Sequence, residues 1–383
     1  GSCHMEKQYR VVIIGFSHMH INDVAAHFYE NPRTDLVAGA DTIPLVPELK
    51  EGTFTRKWNL EFCRTNFKIP KIYEDYREML DQEKPDLAVI SCENAQHLEV
   101  MYECAVRGVN VSIEKPMAAD LSMAMEMIRI SNTYGVKMFV NWPVTWRPEL
   151  HLMKDLLDEG KIGRILEFKI RVSHTGPLGD GAKHPGVKIT AEPMTNEEKA
   201  RTWWYQSKCG GGAMLDFCCY GAMMSRWLIG KPAVAALGMR ANLNTQWGNA
   251  EDNASMLVRY DDAMASIETS WTTYHDLVPV NCPMVYGTKG AMTAAQIDGK
   301  DCVKVILPDG EEEYYYPPEL EYQYRDIACA FVHNMDTNEP IHATLTPEIN
   351  IDGMAILDAG VRSCNSGRLE LVNNLSLIHI SEP

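Results

Sequence analysis

Residues 210–220 read Gly-Gly-Gly-Ala-Met-Leu-Asp-Phe-Cys-Cys-Tyr. Three consecutive glycines lose much backbone entropy on ordering, so they favour a loop. The helix formers that follow predict a helix that ends before Gly230. Within that helix Asp216 and Tyr220 are four residues apart and lie on one face. A carboxylate beside a phenol can orient and tune a proton transfer, although a solvated aspartate and a packed tyrosine also explain this spacing.

The size and charge of the chain narrow the class of protein. A length of 383 residues exceeds one typical domain core and predicts two domains. No apolar run is long enough to span a bilayer and no secretory signal opens the chain, so we expect a cytoplasmic protein. A net charge of −16 argues against nucleic acid or an anionic membrane as partner, because both select basic surfaces. The first five residues resemble a cloning remnant.

The cysteines indicate a reducing compartment. There are 11 of them, an odd number, and none forms a Cys-x-x-Cys pair. This pattern is typical of free thiols that pack as small hydrophobic side chains. No four-ligand zinc spacing is present, so the sequence predicts no metal site.

The first half of the chain alternates between strand and helix patterns. The apolar run 10–14 predicts a buried parallel strand. A turn, a helix over 21–29 and a second strand over 36–40 follow, and that strand ends at Asp41. Strand, tight turn, helix, strand and acid are the layout of a dinucleotide-binding unit.

The turn of this unit departs from the usual Gly-x-Gly-x-x-Gly pattern. Gly15 keeps the first glycine, whereas Ser17 and His20 occupy the other two positions. A serine is small enough for close phosphate approach, but a histidine fits the third position less well, because helix and strand pack closely there. We expect a dinucleotide to contact Gly15, Phe16, Ser17 and His18.

Asp41 indicates which dinucleotide is bound. A carboxylate at this position accepts hydrogen bonds from the ribose hydroxyls of NAD and repels the extra phosphate of NADP. No arginine follows it immediately. The sequence therefore predicts NAD.

A second motif, Glu114-Lys115-Pro116, follows the predicted strand over 109–113. Ligands bind at the carboxyl ends of strands in open α/β sheets, so Lys115 is expected at the cofactor crevice, although a surface lysine at a loop start is the simpler reading. A further strand ends at Asn141-Trp142-Pro143, which we take as the domain hinge. The first domain is accordingly predicted to span 5–141 as a Rossmann dinucleotide-binding domain.

The second half predicts an α+β domain over 142–372. Strand-like runs with hairpin signals between 233 and 306 indicate a large, mainly antiparallel open sheet. One face of such a sheet packs on helices, and the other suits a partner subunit, so we expect a homo-oligomer, a dimer or tetramer. The long polar loop 173–200 is of a length that tends to be functional. Residues 373–383 resemble a non-native, dispensable tail.

Taken together, these motifs resemble the Gfo/Idh/MocA oxidoreductase family over about residues 8–372. Many members carry a histidine where this chain has Tyr220, and the tyrosine form is similar to glucose–fructose oxidoreductase, dihydrodiol dehydrogenases and glycoside-oxidising members. The resemblance implies that Lys115 and Tyr220 transfer protons and that Asp216 orients the substrate hydroxyl. It also places Asn94, His97 and Glu114 at the cofactor.

The expected substrate is a sugar or glycoside held between the domains. The loop 173–202 is expected to contact it, and the aromatic run that starts at Trp203 would serve either as a platform for a sugar face or as core. The individual substrate candidates are Asn141, Trp142, Arg147, His174, His184 and Trp203.

The resemblance leaves the reaction open. It implies hydride transfer from a carbinol carbon, with C3 favoured, to NAD. The same oxidation followed by elimination, water addition and re-reduction would cleave a glycosidic bond without net turnover of NAD. A non-catalytic NAD sensor and a scaffold protein are the remaining alternatives, and the intact Lys115, Asp216 and Tyr220 argue against the sensor.

Overall fold

The computed structural model describes residues 6–49, 51–184 and 186–373. The expected cloning remnant, and the expected tail apart from Asn373, lie outside these residues. Both therefore stay predictions.

A six-stranded parallel sheet forms the centre of the first domain. Its strands are β1 (Tyr9–Ile14), β2 (Thr34–Ala40), β3 (Lys71–Tyr73), β4 (Leu87–Ile90), β5 (Asn110–Glu114) and β6 (Met138–Asn141). The order across the sheet is β3-β2-β1-β4-β5-β6, so the winding reverses between β1 and β4. The crevice beyond the carboxyl ends of these strands is where such sheets bind ligands.

The helices of the first domain begin and end where the sequence signals lie. They are α1 (Ile21–Glu30), α2 (Arg56–Asn66), α3 (Tyr76–Glu83), α4 (His97–Ala105) and α5 (Leu121–Tyr134). In α5, for example, the Asp120 carboxylate accepts from the backbone N–H of Met123, and Gly135 ends the helix at φ 66°. Residues 11–14 of β1 are fully buried, as their continuous apolar pattern predicts.

The second domain is built on a nine-stranded sheet. Its helices are α6 (Pro148–Asp158), α7 (Asn196–Ala200), α8 (Cys219–Ile229), α9 (Ile327–Thr337) and α10 (Pro347–Ser366). Its strands are β7 (Ile165–Ser173), β8 (Ala235–Ala241), β9 (Asn253–Arg259), β10 (Met264–Ser270), β11 (Met284–Gly287), β12 (Gly290–Ile297), β13 (Lys300–Ile306), β14 (Glu312–Tyr315) and β15 (Glu370–Leu371). The order is β14-β13-β12-β11-β7-β10-β9-β8-β15. Of the pairs formed, β7 with β10 is parallel and the rest are antiparallel. The predicted fold class is confirmed.

One face of this sheet is covered and the other is open. In β9, buried and exposed side chains alternate, and α8 and α10 pack on the covered side. The open face exposes Met239, Leu257 and Met264. Its use by a partner subunit stays a prediction. Among the described residues, no helix combines the length and apolarity needed to cross a membrane.

Candidate active site

The Glu114-Lys115-Pro116 motif and the glycine-rich segment 210–220 come into contact at Lys115. This residue follows β5 in the first domain, is 1% exposed, and reaches into the second domain. Its Nζ lies 2.6 Å from the backbone oxygen and 3.0 Å from Oδ1 of Asp216. The same Nζ lies 4.5 Å from the centroid of the Tyr220 ring. The ammonium therefore contacts the ring face of Tyr220 and pairs with the carboxylate of Asp216.

Burial and the charges of neighbouring groups shift the pKa values of Lys115 and Tyr220 in opposite directions. Burial alone would lower the pKa of Lys115, but the Asp216 carboxylate and other neighbouring groups outweigh it and raise that pKa, so the lysine stays charged. Burial raises the pKa of Tyr220, and the Lys115 ammonium offsets only part of this rise. The ammonium favours the phenolate, but burial has the larger effect on this pKa, so the resting phenol is neutral.

The three glycines are required by close packing at the domain junction. A Cβ on Gly210 would lie 2.7 Å from the Cβ of Asn94, and one on Gly211 would lie 2.4 Å from the backbone oxygen of Trp204. Gly212 has φ 101°, and a Cβ there would meet the Glu251 carboxylate at 2.7 Å.

The helix after the glycines begins differently from the prediction. Its first turn, Met214–Cys218, is π-helical and precedes α8. Glu251 accepts from the backbone N–H groups of Ala213 and Met214 through its backbone and side-chain oxygens. Widened turns of this kind are frequent at functional sites. Here the turn contains Asp216, whose backbone oxygen and side chain both bind Lys115.

A cavity of about 360 Å³ opens beside Tyr220. This volume falls within the range of small-molecule sites. Its polar lining consists of His20, Arg147, His174, Lys183, His184, Tyr220 and Asn281. Its apolar lining consists of Pro143, Val144, Ile170, Val172, Phe217 and Met224.

Three of the predicted substrate residues, Arg147, His174 and His184, line this cavity. Burial lowers the pKa of His174 to about 4 and that of His184 to about 3, so both rings are neutral near pH 7. The backbone N–H of Gly176 donates to Nδ1 of His174 at 2.8 Å, which leaves Nε2 as a donor. His20 also lines the cavity, and the sequence prediction missed it because it considered the residue only as part of a phosphate turn.

The other substrate candidates lie elsewhere. Trp142 is buried behind Tyr220, with ring centroids 5.4 Å apart, and its indole N–H donates to Asn350 at 2.8 Å. Asn141 lines a smaller neighbouring cavity with His20. Trp203 is 1% exposed and does not line the main cavity. In this structure it is therefore a core residue.

Asp41 lies at the far end of the crevice, on a separate cavity of about 470 Å³. Its Oδ1 accepts from the backbone N–H groups of Phe16 at 3.0 Å and Thr42 at 2.9 Å. Arg56 contacts the same oxygen at 3.0 Å and also pairs with Glu93. Sequence reasoning missed Arg56 because it looked for an arginine directly after the acid.

The phosphate turn itself is covered by protein. Phe16, Ser17 and His18 are each 1% exposed or less. The Trp203 indole N–H donates to the backbone oxygen of Ser17 at 2.8 Å, and the Trp204 ring lies 4.7 Å from that of His18.

The amides of the turn are also engaged. The N–H of Phe16 donates to Asp41, that of His18 to the backbone oxygen of Ser91, and that of His20 to Nδ1 of His18. A pyrophosphate is normally held by free amides at this position. In this conformation the N–H groups of Phe16, His18 and His20 are already bonded and are not free to bind a pyrophosphate.

The remaining predicted cofactor residues have structural partners. The Asn94 amide donates to the backbone oxygen of Gly210 at 2.8 Å. His97 is fully buried and bonds the backbone oxygens of Met117 and Cys92, and burial lowers its pKa. Glu114 accepts from His20 at 2.6 Å. Contact of these residues with a cofactor stays a prediction.

A parallel doubly wound domain, joined to an α+β domain at a Lys–Asp–Tyr cluster, is typical of nicotinamide-dependent oxidoreductases. The chain belongs to the Gfo/Idh/MocA family. Residues 9–142 match the family's oxidoreductase domain with the NAD-binding Rossmann fold, and residues 150–293 match its C-terminal domain. NAD is accordingly the cofactor of the first domain.

Individual relatives are distant. Mouse trans-1,2-dihydrobenzene-1,2-diol dehydrogenase is 23% identical over 275 residues, which cover 70% of this chain and 72% of that one. D-xylose dehydrogenase of Paenarthrobacter nicotinovorans is 28% identical over 203 residues, 49% and 48% of the two chains. The WlbA dehydrogenase of Bordetella pertussis, solved with NADH and UDP-GlcNAcA, has a similar fold, with a TM-score of 0.70, 20% identity, and coverage of 96% and 100%.

The residues present fit NAD at both ends of the crevice. Asp41 lines a cavity where an adenosine ribose belongs, and Lys115 and Tyr220 meet at the reacting end. Between these ends Trp203 and Trp204 close the turn over Ser17 and His18, and we expect NAD binding along it to move these two side chains away.

Proposed function

We propose that this protein oxidises a carbinol carbon of a sugar or glycoside, with C3 favoured, and passes the hydride to NAD. The observation that carries the proposal is the contact of Lys115 with Asp216 and Tyr220 at the wall of the 360 Å³ cavity. A pyranose presents several hydroxyls and one apolar face. The neutral histidines, the arginine and the apolar residues of this cavity suit such a ligand.

The chain's own residues supply binding and proton transfer. NAD, when bound, supplies the hydride acceptor. Lys115 is held in place by Asp216, and its charge stabilises the Tyr220 phenolate when that forms. The phenolate then accepts the proton of the substrate hydroxyl. Because burial raises the pKa of Tyr220, this form is scarce at neutral pH, so oxidation should accelerate as the pH rises.

The same raised pKa suits the reverse step, in which a neutral tyrosine donates its proton to a ketone. A redox-neutral glycosidase that oxidises, eliminates, hydrates and re-reduces would use both directions at one residue. This is the second candidate function.

The proposed function is tested with NAD and a panel of free sugars and glycosides. Absorbance of the reduced nicotinamide reports net oxidation, and chromatography of the released aglycone reports cleavage. Activity on at least one pyranose in either readout supports the proposal. Activity confined to short-chain hydroxy acids, or none over the panel, would contradict it.

Replacing Asp41 with alanine should weaken NAD binding by about tenfold and narrow the preference for NAD over NADP. The variant removes the ribose acceptor and the carboxylate that would repel the 2′-phosphate, while Arg56 stays paired with Glu48 and Glu93. Calorimetric titration with both dinucleotides measures the change. Glu74→Gln, an exposed carboxylate on the same cavity, is the matched control and should bind as the unmodified protein does. Tighter binding of NADP than NAD by the unmodified protein would refute the assignment.

Replacing Trp203 with phenylalanine should strengthen NAD binding roughly fivefold. The change keeps an aromatic ring but removes the hydrogen bond to Ser17, a loss of about 1 kcal/mol from the closed form alone. Trp247→Phe is the control, because the buried N–H of Trp247 bonds nothing among the described residues. Equal or weaker NAD affinity in Trp203→Phe would show that this contact does not hold the turn closed.

A further inference from the structure

We propose that His18, His20 and Glu114 form a binding site for one divalent transition-metal ion. One ligand-capable atom from each of these residues lies within 4.8 Å of the other two. His18 and His20 come from the turn before α1 and Glu114 from the end of β5, so two neighbouring segments of the crevice supply the set. The proposal goes beyond the oxidoreductase function and does not depend on it.

One polar atom of this cluster lacks a hydrogen-bond partner in the part of the chain that the structure describes. Nε2 of His18 is buried and has no hydrogen-bond partner among the described residues. An unpaired buried polar atom destabilises the folded protein, and a bound ion is one of its ordinary explanations. Binding a metal through Nε2 would move the ring proton to Nδ1 and give up the 3.1 Å contact from the His20 amide. One long hydrogen bond would be exchanged for a metal–nitrogen bond.

His20 and Glu114 are in hydrogen-bond contact where an ion would sit. Nδ1 of His20 lies 2.6 Å from Oε1 of Glu114, and the Glu114 side chain is 4% exposed. Two ligands about 2 Å from a common ion lie about 3 Å apart, so replacing the proton by a metal needs only a small separation of these side chains. The carboxylate also compensates part of the charge of the ion.

The donor set selects the class of metal. Two imidazoles and one carboxylate suit zinc, iron or cobalt, whereas magnesium and calcium prefer oxygen ligands. Three protein ligands leave at least one coordination position open, as in catalytic zinc sites. His20 also lines the 360 Å³ cavity beside Tyr220. An oxygen donor entering from that cavity, water or a substrate hydroxyl, would complete the coordination.

Sequence spacing gave no sign of this site. His20 and Glu114 are 94 residues apart, and a search for four ligands at short spacing passes over them. His20 stands where a dinucleotide turn normally has glycine or another small residue, which is the one sequence feature that could have raised the question.

The test uses the full chain with two probes. Protein expressed in zinc-supplemented medium is analysed for metal by mass spectrometry, and chelator-treated protein is titrated with Co²⁺ while its visible absorption is followed. We expect about one zinc per chain and saturation at one equivalent of Co²⁺. Glu114→Gln and His18→Ala should each lower Co²⁺ affinity by at least tenfold. His275→Ala, at an exposed histidine, should leave it unchanged.

Two results would overturn the site. Absence of both stoichiometric zinc and Co²⁺ absorption in the unmodified protein would exclude it, whether or not the variants fold. Equal Co²⁺ affinity in the unmodified protein, Glu114→Gln and His18→Ala would place any bound metal at other residues. A melting curve for each variant, with and without Co²⁺, separates a lost site from a lost fold, because an ion bound to the native state raises Tm.

Discussion

Tyr220→Phe should lower turnover by roughly 10²–10⁴ while leaving the fold intact. The substitution keeps the ring that packs against Trp142 and under the Lys115 ammonium, and removes only the hydroxyl. The hydroxyl is the single ionisable group of this side chain, so its loss removes the proposed proton acceptor. Initial rates from pH 6 to 10, with NAD affinity measured separately, give the comparison.

Tyr205→Phe is the matched control for this variant. Tyr205 is buried, and burial raises its pKa as well, but it does not line the cavity. The turnover of Tyr205→Phe should stay close to that of the unmodified protein. Turnover of Tyr220→Phe that equals the unmodified protein at every pH would remove Tyr220 from the mechanism and leave Lys115 or one of the cavity histidines as the base.

Lys115→Met should lower turnover by roughly 10²–10³ and move the pH dependence of oxidation upward. The Lys115 ammonium lowers the pKa of Tyr220, against the larger effect of burial. Without it the pKa of Tyr220 rises further, the phenolate fraction at a given pH falls, and the rate increase shifts to higher pH. Rate against pH for the two proteins measures this shift.

Lys115→Met leaves the Asp216 carboxylate buried without the ammonium that pairs with it. A buried charge without a partner itself destabilises the folded protein. The double variant Lys115→Met/Asp216→Asn removes both charges and serves as the control for folding. If the double variant melts near the temperature of the unmodified protein and still shows the upward shift, the charge of Lys115 is its cause. An unshifted pH profile in a folded variant would contradict the tuning role.

The elements of the first domain could be predicted closely because their patterns are local. Buried β-branched runs, caps such as Asp120 and the terminating Gly135 mark strands and helices directly. The short strands β3 and β14 were not predicted, since three or four residues carry little periodicity. The mainly antiparallel sheet of the second domain followed from its alternating runs and hairpin signals.

The two motifs of the candidate active site were likewise visible in the sequence, but their contact was not. Lys115 and Asp216 are 101 residues apart, and only the packing of the two domains brings them to 3.0 Å. The π-helical turn at Met214–Cys218 depends on Glu251, which no local pattern connects to the glycines. The covering of the phosphate turn by Trp203 is a contact of the same long-range kind, since 186 residues separate Trp203 from Ser17.

The central claim, hydride transfer from a sugar carbon, is tested most directly with a glycoside carrying deuterium at C3. The protein is mixed with NAD and this substrate, the reaction is stopped with acid at successive times, and the nicotinamide is analysed by mass spectrometry. We predict that deuterium appears in the reduced nicotinamide, and that a redox-neutral cycle returns it to C3 at later times. Formation of product with no deuterium in the nicotinamide at any time would contradict the proposed oxidation at C3.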